Sequence, residues 1–351
     1  MSLANTEHVT QDLGDAPDGP AADAVARPSR LGGLKGFAER NALLGLLVLV
    51  IVFFSVYPKS SAIFFTTQNA SVLLGNQSVV AMLALAVILP LVTGYFDFSL
   101  GAIAASTSVL TAGLMSFHQV PLGLAILISV GFGALIGGIN GLLVARLGLN
   151  SFVTTLGMAT LLGGLIQWYT GGQTILAGID PALPRFGGST WLGLPRVVFV
   201  VALAALLLWY LLAQTPFGRS LYAIGSNPRS AKLVGVRVVG SVWTTFVLAG
   251  AIAGIVGVMQ LARTGSATAD TGTNLLFPAL AAAFLGATAV VPGFFNVVGT
   301  IIGVLFVAVS VSGLTLSGAS AWVSPVFNGA ALLIAVGLSH YLGRHRGART
   351  G

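Results

Sequence analysis

The chain has 351 residues, of which 56% are hydrophobic and only 7% are charged, and its formal net charge is +7. Soluble domains carry about 25% charged residues, so this composition excludes a water-facing surface and predicts a polytopic protein of the lipid bilayer. A positive charge can also indicate nucleic-acid binding, but we interpret it here as membrane topology and expect no nucleic-acid partner. The chain has no cysteine, which excludes disulfides and thiolate metal sites.

The first segment is polar and rich in Ala, Asp and Pro, and we expect residues 1–40 to form a disordered cytoplasmic tail. Residues 41–343 form the predicted transmembrane domain, and residues 344–351 form a second cytoplasmic tail. A membrane helix needs about 20 mostly apolar residues, and ten runs approach this, which predicts an all-α transmembrane helical bundle of about ten spans. The runs are Ala42–Tyr57, Ser78–Thr93, Ser99–Met115, Leu122–Val144, Phe152–Tyr169, Val197–Leu212, Val239–Leu261, Leu276–Val290, Val297–Leu316 and Val326–Tyr341. The short run Leu276–Val290 is a candidate broken or re-entrant helix.

Lysine and arginine predict the orientation of these spans. If the N-terminus lies in the cytoplasm, twelve basic residues fall inside and four outside, as the positive-inside rule requires. The inside residues are Arg27, Arg30, Lys35, Arg40, Arg146, Arg219, Arg229, Lys232, Arg237, Arg344, Arg346 and Arg349, and the outside residues are Lys59, Arg185, Arg196 and Arg263. We therefore predict that both termini are cytoplasmic.

Glycine pairs spaced four residues apart recur in the predicted spans. The pairs are Gly133/Gly137, Gly137/Gly141, Gly250/Gly254 and Gly299/Gly303. Small residues at this spacing allow two helix backbones to approach closely. We predict that these glycines pack helices together and do not contact a substrate.

Four polar residues in or near the spans are candidates for a functional role: Asp97, Ser99, Asn140 and Thr155. An acid inside a membrane is costly and often functional, but Asp97 or Ser99 could instead cap the helix that follows. Asn140 lies inside the fourth span, where its amide must find a hydrogen-bond partner on another helix or line the pathway. Thr155 can form a hydrogen bond to its own helix. Two interpretations therefore stay open, a lining of the translocation pathway and structural hydrogen bonding.

The longest predicted inside loop, residues 215–237, carries four basic residues and no acid, and we call it the basic loop. Asn227 can cap a helix that begins with Pro228, and Gly235 can end it. The sequence therefore predicts a short basic helix on the cytoplasmic surface. This helix is either an anchor for anionic lipid headgroups or a docking element for a cytoplasmic partner.

The sequence offers no catalytic chemistry. The four histidines have no useful metal-ligand spacing, and no Gly-Lys pair exists that could form a phosphate-binding loop. Paired carboxylates for acid–base catalysis are also missing. We predict a transport protein and not an enzyme, with no cofactor, no metal and no ATPase site of the P-loop type.

From about Asn69 to about Gly343 the sequence resembles the permease subunits of bacterial ATP-binding cassette (ABC) sugar importers of the ribose, xylose and galactoside branch. The resemblance is specific in the order and spacing of its short motifs. The motifs are Phe96–Gly101, Asn140–Ala145, Phe152–Gly157, Gly218–Val236, Phe284–Thr288 and Gly299–Gly303. The sequence departs from the family pattern at Ala287 and at residues 290–293, where many relatives are richer in glycine.

The resemblance implies a permease dimer around a central pathway, two cytoplasmic ATP-binding subunits, and a periplasmic or extracellular sugar-binding protein. By position, it assigns the contact with the ATP-binding subunit to Asn227, Arg229, Ala231, Lys232 and Gly235. An ion-coupled secondary transporter of a small polar solute is the alternative class, although Asp97 is its only candidate coupling acid. An importer of the same family for a non-sugar substrate is a further alternative.

Overall fold

The computed structural model describes residues 30–268 and 271–347. The chain divides into two compact units, Met1–Phe37 and Ala38–Gly351. Of the first unit, the structure describes only the beginning of the first helix. The helices are α1 (Arg30–Val56), α2 (Ser61–Phe64), α3 (Thr67–Val92), α4 (Leu100–Ser116), α5 (Leu122–Gly141), α6 (Ser151–Thr170), α7 (Ala182–Gly188), α8 (Arg196–Gln214), α9 (Pro216–Ser226), α10 (Pro228–Leu233), α11 (Val238–Thr264), α12 (Thr271–Gly286), α13 (Val297–Leu316) and α14 (Val323–Gly347). One π-helical turn, Leu142–Arg146, extends α5. Strands β1 (Thr190–Trp191) and β2 (Leu194–Pro195) form an antiparallel hairpin.

Apolar helices overlap all ten predicted runs. Six are long and apolar enough to cross a membrane: α3, α5 with its π-helical turn, α6, α8, α11 and α13. Four shorter apolar segments complete the set: Arg40–Val56, Leu100–Ser116, Asn274–Gly286 and Val323–Gly337. The all-α membrane bundle is thereby confirmed, whereas the number of spans and the side of each terminus stay predictions.

The predicted terminal tails differ from the structure at their inner ends. Helix α1 already begins at Arg30, and α14 continues to Gly347, so parts of both expected tails are helical. Extending an existing helix is far easier than nucleating a new one, and each apolar helix can therefore continue into its polar flank. The remaining residues of both tails lie outside the described residues.

The eighth predicted run ends earlier than expected. Helix α12 continues through Pro278 without a break and ends at Gly286. At 1.5 Å per residue it is about 24 Å long, shorter than the roughly 30 Å hydrocarbon core. Val290 has φ +62°, a left-handed conformation that β-branched residues rarely adopt, so the helix cannot include it. A re-entrant α12 stays a prediction.

Helix α3 lies in the core of the second unit. Every residue from Ser78 to Val92 is buried, although the helix has no polar face. A helix that is apolar on all sides belongs in the interior, and α3 packs against α8, α11, α12 and α13. Its buried stretch ends directly before the linker that carries Asp97.

The contact between α5 and α11 is made by glycines. A Cβ atom on Gly133 would collide with the carbonyl oxygen of Gly250, and a Cβ atom on Gly250 would collide with that of Gly133. Gly137 lies equally close to the backbone of Phe246, Gly254 lies close to the backbone of Val130, and α13 packs against α12 through the same kind of glycine contact. The predicted role of these glycines in helix packing is confirmed.

Candidate functional site

The four polar residues singled out in the sequence, Asp97, Ser99, Asn140 and Thr155, come together in one cluster, which we call the polar junction. All four are at most 5% exposed. The Ser99 hydroxyl donates to Asp97 Oδ1 over 2.6 Å and accepts from Asn140 Nδ2 over 2.7 Å. The backbone N–H of Ser99 also donates to Asp97 Oδ1, over 2.9 Å. The junction therefore ties the start of α4 to α5.

Thr155 ties the first turn of α6 to the same place. Its hydroxyl donates to the carbonyl oxygen of Ser151 over 2.8 Å and accepts from the backbone N–H of Phe98 over 3.0 Å. The Ser151 hydroxyl accepts from the backbone N–H of Phe96 over 3.4 Å. Backbone N–H groups ahead of α4 have no helical partner, and α6 supplies side-chain acceptors for two of them.

Helix capping describes the polar junction only in part. Ser99 occupies the N-cap position of α4, but its side chain makes no capping hydrogen bond and instead joins Asp97 to Asn140. Two buried acceptor atoms remain without a partner, Asp97 Oδ2 and Asn140 Oδ1. Unsatisfied buried acceptors cost free energy, so these two atoms are available to another donor. Among the described residues, no group of three or more His, Cys, Asp or Glu side chains could hold a metal ion.

The basic loop contains α9 and α10, which meet at Asn227. The Asn227 side chain accepts from the backbone N–H groups of Arg229 and Ser230 over 3.0 and 3.1 Å. Pro228 is the first residue of α10, and Gly235, just beyond its end, has φ +86°. The predicted short capped helix is therefore confirmed, and Asn227 and Gly235 shape its two ends.

The underside of α10 packs on its own bundle. Ala231 is 3% exposed and lies in an apolar cluster with Val144 of the π-helical turn, Ile224 of α9 and Phe246 of α11. The resemblance implied that Ala231 contacts a partner, but its methyl group faces inward, because a short amphipathic helix has to cover its apolar side. Ala231 therefore positions α10 and does not present a surface.

The outer side of α10 combines charge with exposed apolar groups. Arg229 and Lys232 are exposed, as predicted for a docking helix. Leu233 is 88% exposed and Val234 is 80% exposed, and the sequence reasoning did not single them out. The available signal was a pair of large aliphatic residues directly after Lys232. Exposed apolar side chains of this kind often mark a protein contact.

A chain of contacts joins the basic loop to the polar junction. Burial raises the pKa of the Tyr222 hydroxyl above its ordinary value, and this hydroxyl donates to the carbonyl oxygen of Phe295 over 2.8 Å. The Phe295 ring meets Phe284 edge-on with centroids 5.2 Å apart, and Phe284 stacks on Phe96 at 6.2 Å. Phe96 in turn stacks on Phe98 at 6.0 Å. The contacts of Tyr222 with Phe295 and of Phe284 with Phe96 do not follow from sequence spacing, since they join distant segments.

Known proteins resemble most of this chain. The family model described as "Branched-chain amino acid transport system / permease component" matches residues 69–336. The ribose import permease protein RbsC of Escherichia coli (strain K12) is 32% identical over 304 residues, which are 85% of this chain and 92% of that protein. RbsC of Bacillus subtilis (strain 168) is 35% identical over 294 residues, which are 84% of this chain and 90% of that protein. The galactose/methyl galactoside import permease protein MglC of Escherichia coli (strain K12) is 30% identical over 311 residues, with 84% and 93% covered. No solved structure gives a significant match.

The matched region contains both sites described above, because it runs from the first turn of α3 into α14. The family model and the relatives are transport components, and none of their names describes an enzyme. The apolar helices place such a component in the cell membrane as a multi-pass protein. The chain belongs to the family of permease subunits of ABC sugar importers.

Proposed function

We propose that this chain forms the translocation pathway of an ATP-driven importer for a monosaccharide such as ribose or xylose, and that separate ATP-binding subunits drive it. Relatives named for ribose and galactoside import support the sugar class. The observation that carries the proposal is the two-sided nature of α10. Its inner face is fixed to the bundle through Ala231, while Leu233 and Val234 present apolar groups outward beside basic side chains.

The expected partners follow from this arrangement and from the family. An ATP-binding subunit would dock on α10, with Leu233 and Val234 in an apolar cleft and Arg229 and Lys232 at its rim. A second permease copy would complete the pathway. A periplasmic or extracellular sugar-binding protein would deliver substrate on the opposite side of the bilayer. ATP-driven closure of the motor subunits would then favour one conformation of the permease over the other.

The basic loop is built to pass such a movement to the spans. The backbone of Gly225 in α9 lies against the carbonyl oxygen of Val92 at the end of α3. Tyr222 in the same helix donates to Phe295, ahead of α13. A displacement of α9 and α10 would therefore reach the linker that carries Asp97 by two routes, along α3 and along the aromatic contacts.

The polar junction is the part of the proposed pathway that could bind a sugar. Asp97 Oδ2 and Asn140 Oδ1 are acceptors without a partner, and sugar hydroxyls are donors that such acceptors bind. Ser99 and Thr155 would hold the two acceptors in position through the hydrogen bonds described above. We propose these four residues as pathway residues that also stabilise the closed conformation.

The docking role is tested by the double variant Leu233→Asp with Val234→Asp. Both side chains are exposed, so we expect normal membrane insertion, at least a tenfold loss of the co-purified ATP-binding subunit, and loss of sugar uptake. Leu192→Asp is the control, because Leu192 is 82% exposed on the hairpin, on the predicted opposite side. Unchanged co-purification in the double variant would contradict the docking role.

The proposed orientation is tested by a reporter fused after Arg344. A cytoplasmic signal supports ten spans with both termini in the cytoplasm. A periplasmic signal would show that one span fewer or one more is present, and α12 would then be the first helix to reassign.

The second candidate function is ion-coupled transport, and the unpartnered Oδ2 atom of buried Asp97 is the observation that favours it. Purified chain in proteoliposomes separates the two mechanisms. Uptake driven by a proton or sodium gradient without nucleotide would favour ion coupling. Loss of cellular uptake when the ATP-binding subunit is inactivated would favour the ATP-driven importer. A thermal-shift screen of the neighbouring binding protein with pentoses, hexoses and non-sugar solutes would identify the substrate.

A further inference from the structure

A long apolar groove lies between α5 and α11. Its volume is about 700 Å³, and Arg146 is the only charged residue that lines it among the residues that the structure describes. Its apolar walls include Leu135, Ile139, Leu142, Val239 and Trp243. These five side chains are between 37% and 60% exposed, so the described part of the chain leaves the groove open.

The groove is preformed, because fixed groups define its shape. The indole Nε1 of Trp243 in α11 donates to the carbonyl oxygen of Gly138 in α5 over 3.0 Å. This hydrogen bond holds the Trp243 ring against α5. Gly131 and Gly240 also line the groove, and a Cβ atom at either position would meet nothing within 4 Å. The result is an open apolar groove with room for a hydrocarbon chain.

One end of the groove is positively charged. A second cavity of about 460 Å³ shares Val239 and Gly240 with the groove, and Arg229, Lys232 and Arg237 line it. Within the described ranges 30–268 and 271–347, no acid lines either cavity. The positive-inside rule places all these cations in the cytoplasmic leaflet, whose surface carries anionic lipid headgroups.

We propose that the groove binds one anionic phospholipid, with an acyl chain between α5 and α11 and the phosphate group between Arg146 and Arg237. The apolar groove would contact the acyl chain, and the cationic end beside it would contact the phosphate group. The inference concerns the permease alone and does not depend on the proposed transport function.

Charge complementarity favours a lipid over a second copy of the chain as the occupant. Beyond Asn41, the only acids among the described residues are Asp97 and Asp180. Asp97 is buried in the polar junction, and Asp180 lies on the predicted opposite side of the membrane. Apart from Glu39 in α1, the described part of a second copy therefore has no carboxylate to offer to Arg146 and Arg237, whereas a phospholipid supplies both the anion and the apolar chain.

The headgroup contact is tested on the full-length chain in nanodiscs that contain phosphatidylglycerol and phosphatidylcholine with identical acyl chains. Native mass spectrometry after mild extraction then reports which lipid stays bound. We expect the wild type to retain phosphatidylglycerol preferentially. Arg146→Gln and Arg237→Gln should each reduce that retention about fivefold, the typical effect of one cation at an anionic membrane surface.

Arg219→Gln is the matched control, because Arg219 is an exposed arginine of the basic loop that lines neither cavity. It should leave the preference for phosphatidylglycerol unchanged. Equal retention of both lipids by the wild type would overturn the proposal. An equal loss in Arg219→Gln would overturn it as well, because the charge of the whole surface would then explain the preference.

The acyl contact is tested by filling the groove with Gly131→Leu. Gly163→Leu on α6 is the control, because it also adds a side chain to a helical glycine that faces open space. We expect Gly131→Leu to abolish retention of phosphatidylglycerol and Gly163→Leu to preserve it. If Gly131→Leu instead changed the oligomeric state in light scattering and left lipid retention intact, the groove would be an interface between copies and the proposal would fail.

Discussion

The polar junction and the basic loop both place polar side chains at the start of a helix, but they use them differently. In the junction, the Ser99 hydroxyl joins Asp97 to Asn140, and all three side chains are buried. In the basic loop, Asn227 satisfies the first N–H groups of α10 and leaves Arg229 exposed. The hydrogen bonds of the junction hold segments of the same chain together, whereas the loop leaves charged and apolar side chains exposed. The role of each polar residue here depends on which hydrogen bonds its side chain makes, and not on its position before a helix.

The comparison predicts the largest loss of stability in the junction. Ser99→Ala removes the bridge and leaves Asn140 Nδ2 buried without an acceptor. We expect a loss of about 1–3 kcal/mol, the usual cost of an unsatisfied buried group, seen as a lower melting temperature in detergent. Ser55→Ala is the control, because the Ser55 hydroxyl bonds only to the Ile51 carbonyl of its own helix. An unchanged melting temperature with altered substrate selectivity would show that Ser99 acts in the pathway alone.

The next largest effect is expected at the end of α10. Gly235 has φ +86°, and a left-handed conformation costs an ordinary residue about 1–2 kcal/mol. Gly235→Val should therefore displace the loop and abolish uptake, while expression and the melting temperature of the bundle stay near those of the wild type. Gly235→Asn should restore part of the uptake, because asparagine tolerates this conformation. Full activity of the valine variant would show that the shape of the loop end is unimportant.

A smaller effect of opposite sign is expected between α12 and α13. Val290 adopts φ +62°, which is strained for a β-branched residue. Val290→Gly should raise the stability by about 1 kcal/mol, because the removed strain exceeds the extra entropy of glycine in the unfolded chain. Val291→Gly is the control and should lower the stability. Thermal melting of the two variants in parallel measures the difference.

The smallest effect on stability is expected on the outer face of α10. Arg229→Ala combined with Lys232→Ala changes two exposed side chains, and such changes usually stay within about 0.5 kcal/mol. The double variant should melt like the wild type but bind the ATP-binding subunit more weakly, and it should lose the salt dependence of that binding. A large drop in melting temperature would show that the exposed side chains of the loop also stabilise the fold, as those of the junction do.

Local features of both regions could be predicted from the sequence. The ten apolar runs, the Asn227 cap, Pro228 at the first position of α10 and Gly235 beyond its end all follow from neighbouring residues. The glycine pairs also predicted close helix contacts correctly, because their spacing places them on one helix face. These features depend on a few consecutive turns of helix, which a single sequence contains in full.

The convergence of distant segments could not be predicted. Asn140 and Ser99 are 41 residues apart, and Phe98 and Thr155 are 57 residues apart. Their meeting depends on how α4, α5 and α6 pack, which no local pattern records. For the same reason the sequence did not show that Ala231 packs inward, since its apolar neighbours lie on α9, α11 and the π-helical turn.

The glycine contact between α5 and α11 has a mechanical consequence. Gly133, Gly137, Gly250 and Gly254 bring backbone against backbone, so few side chains separate the two helices along this stretch. Ala231 packs where α5 gives way to its π-helical turn and α11 begins, so force on α10 reaches both helices at their common end. We expect the first step of the proposed alternating access to be a shear of α5 along α11 at the glycine contact, in which the hydrogen bond from Trp243 to Gly138 breaks.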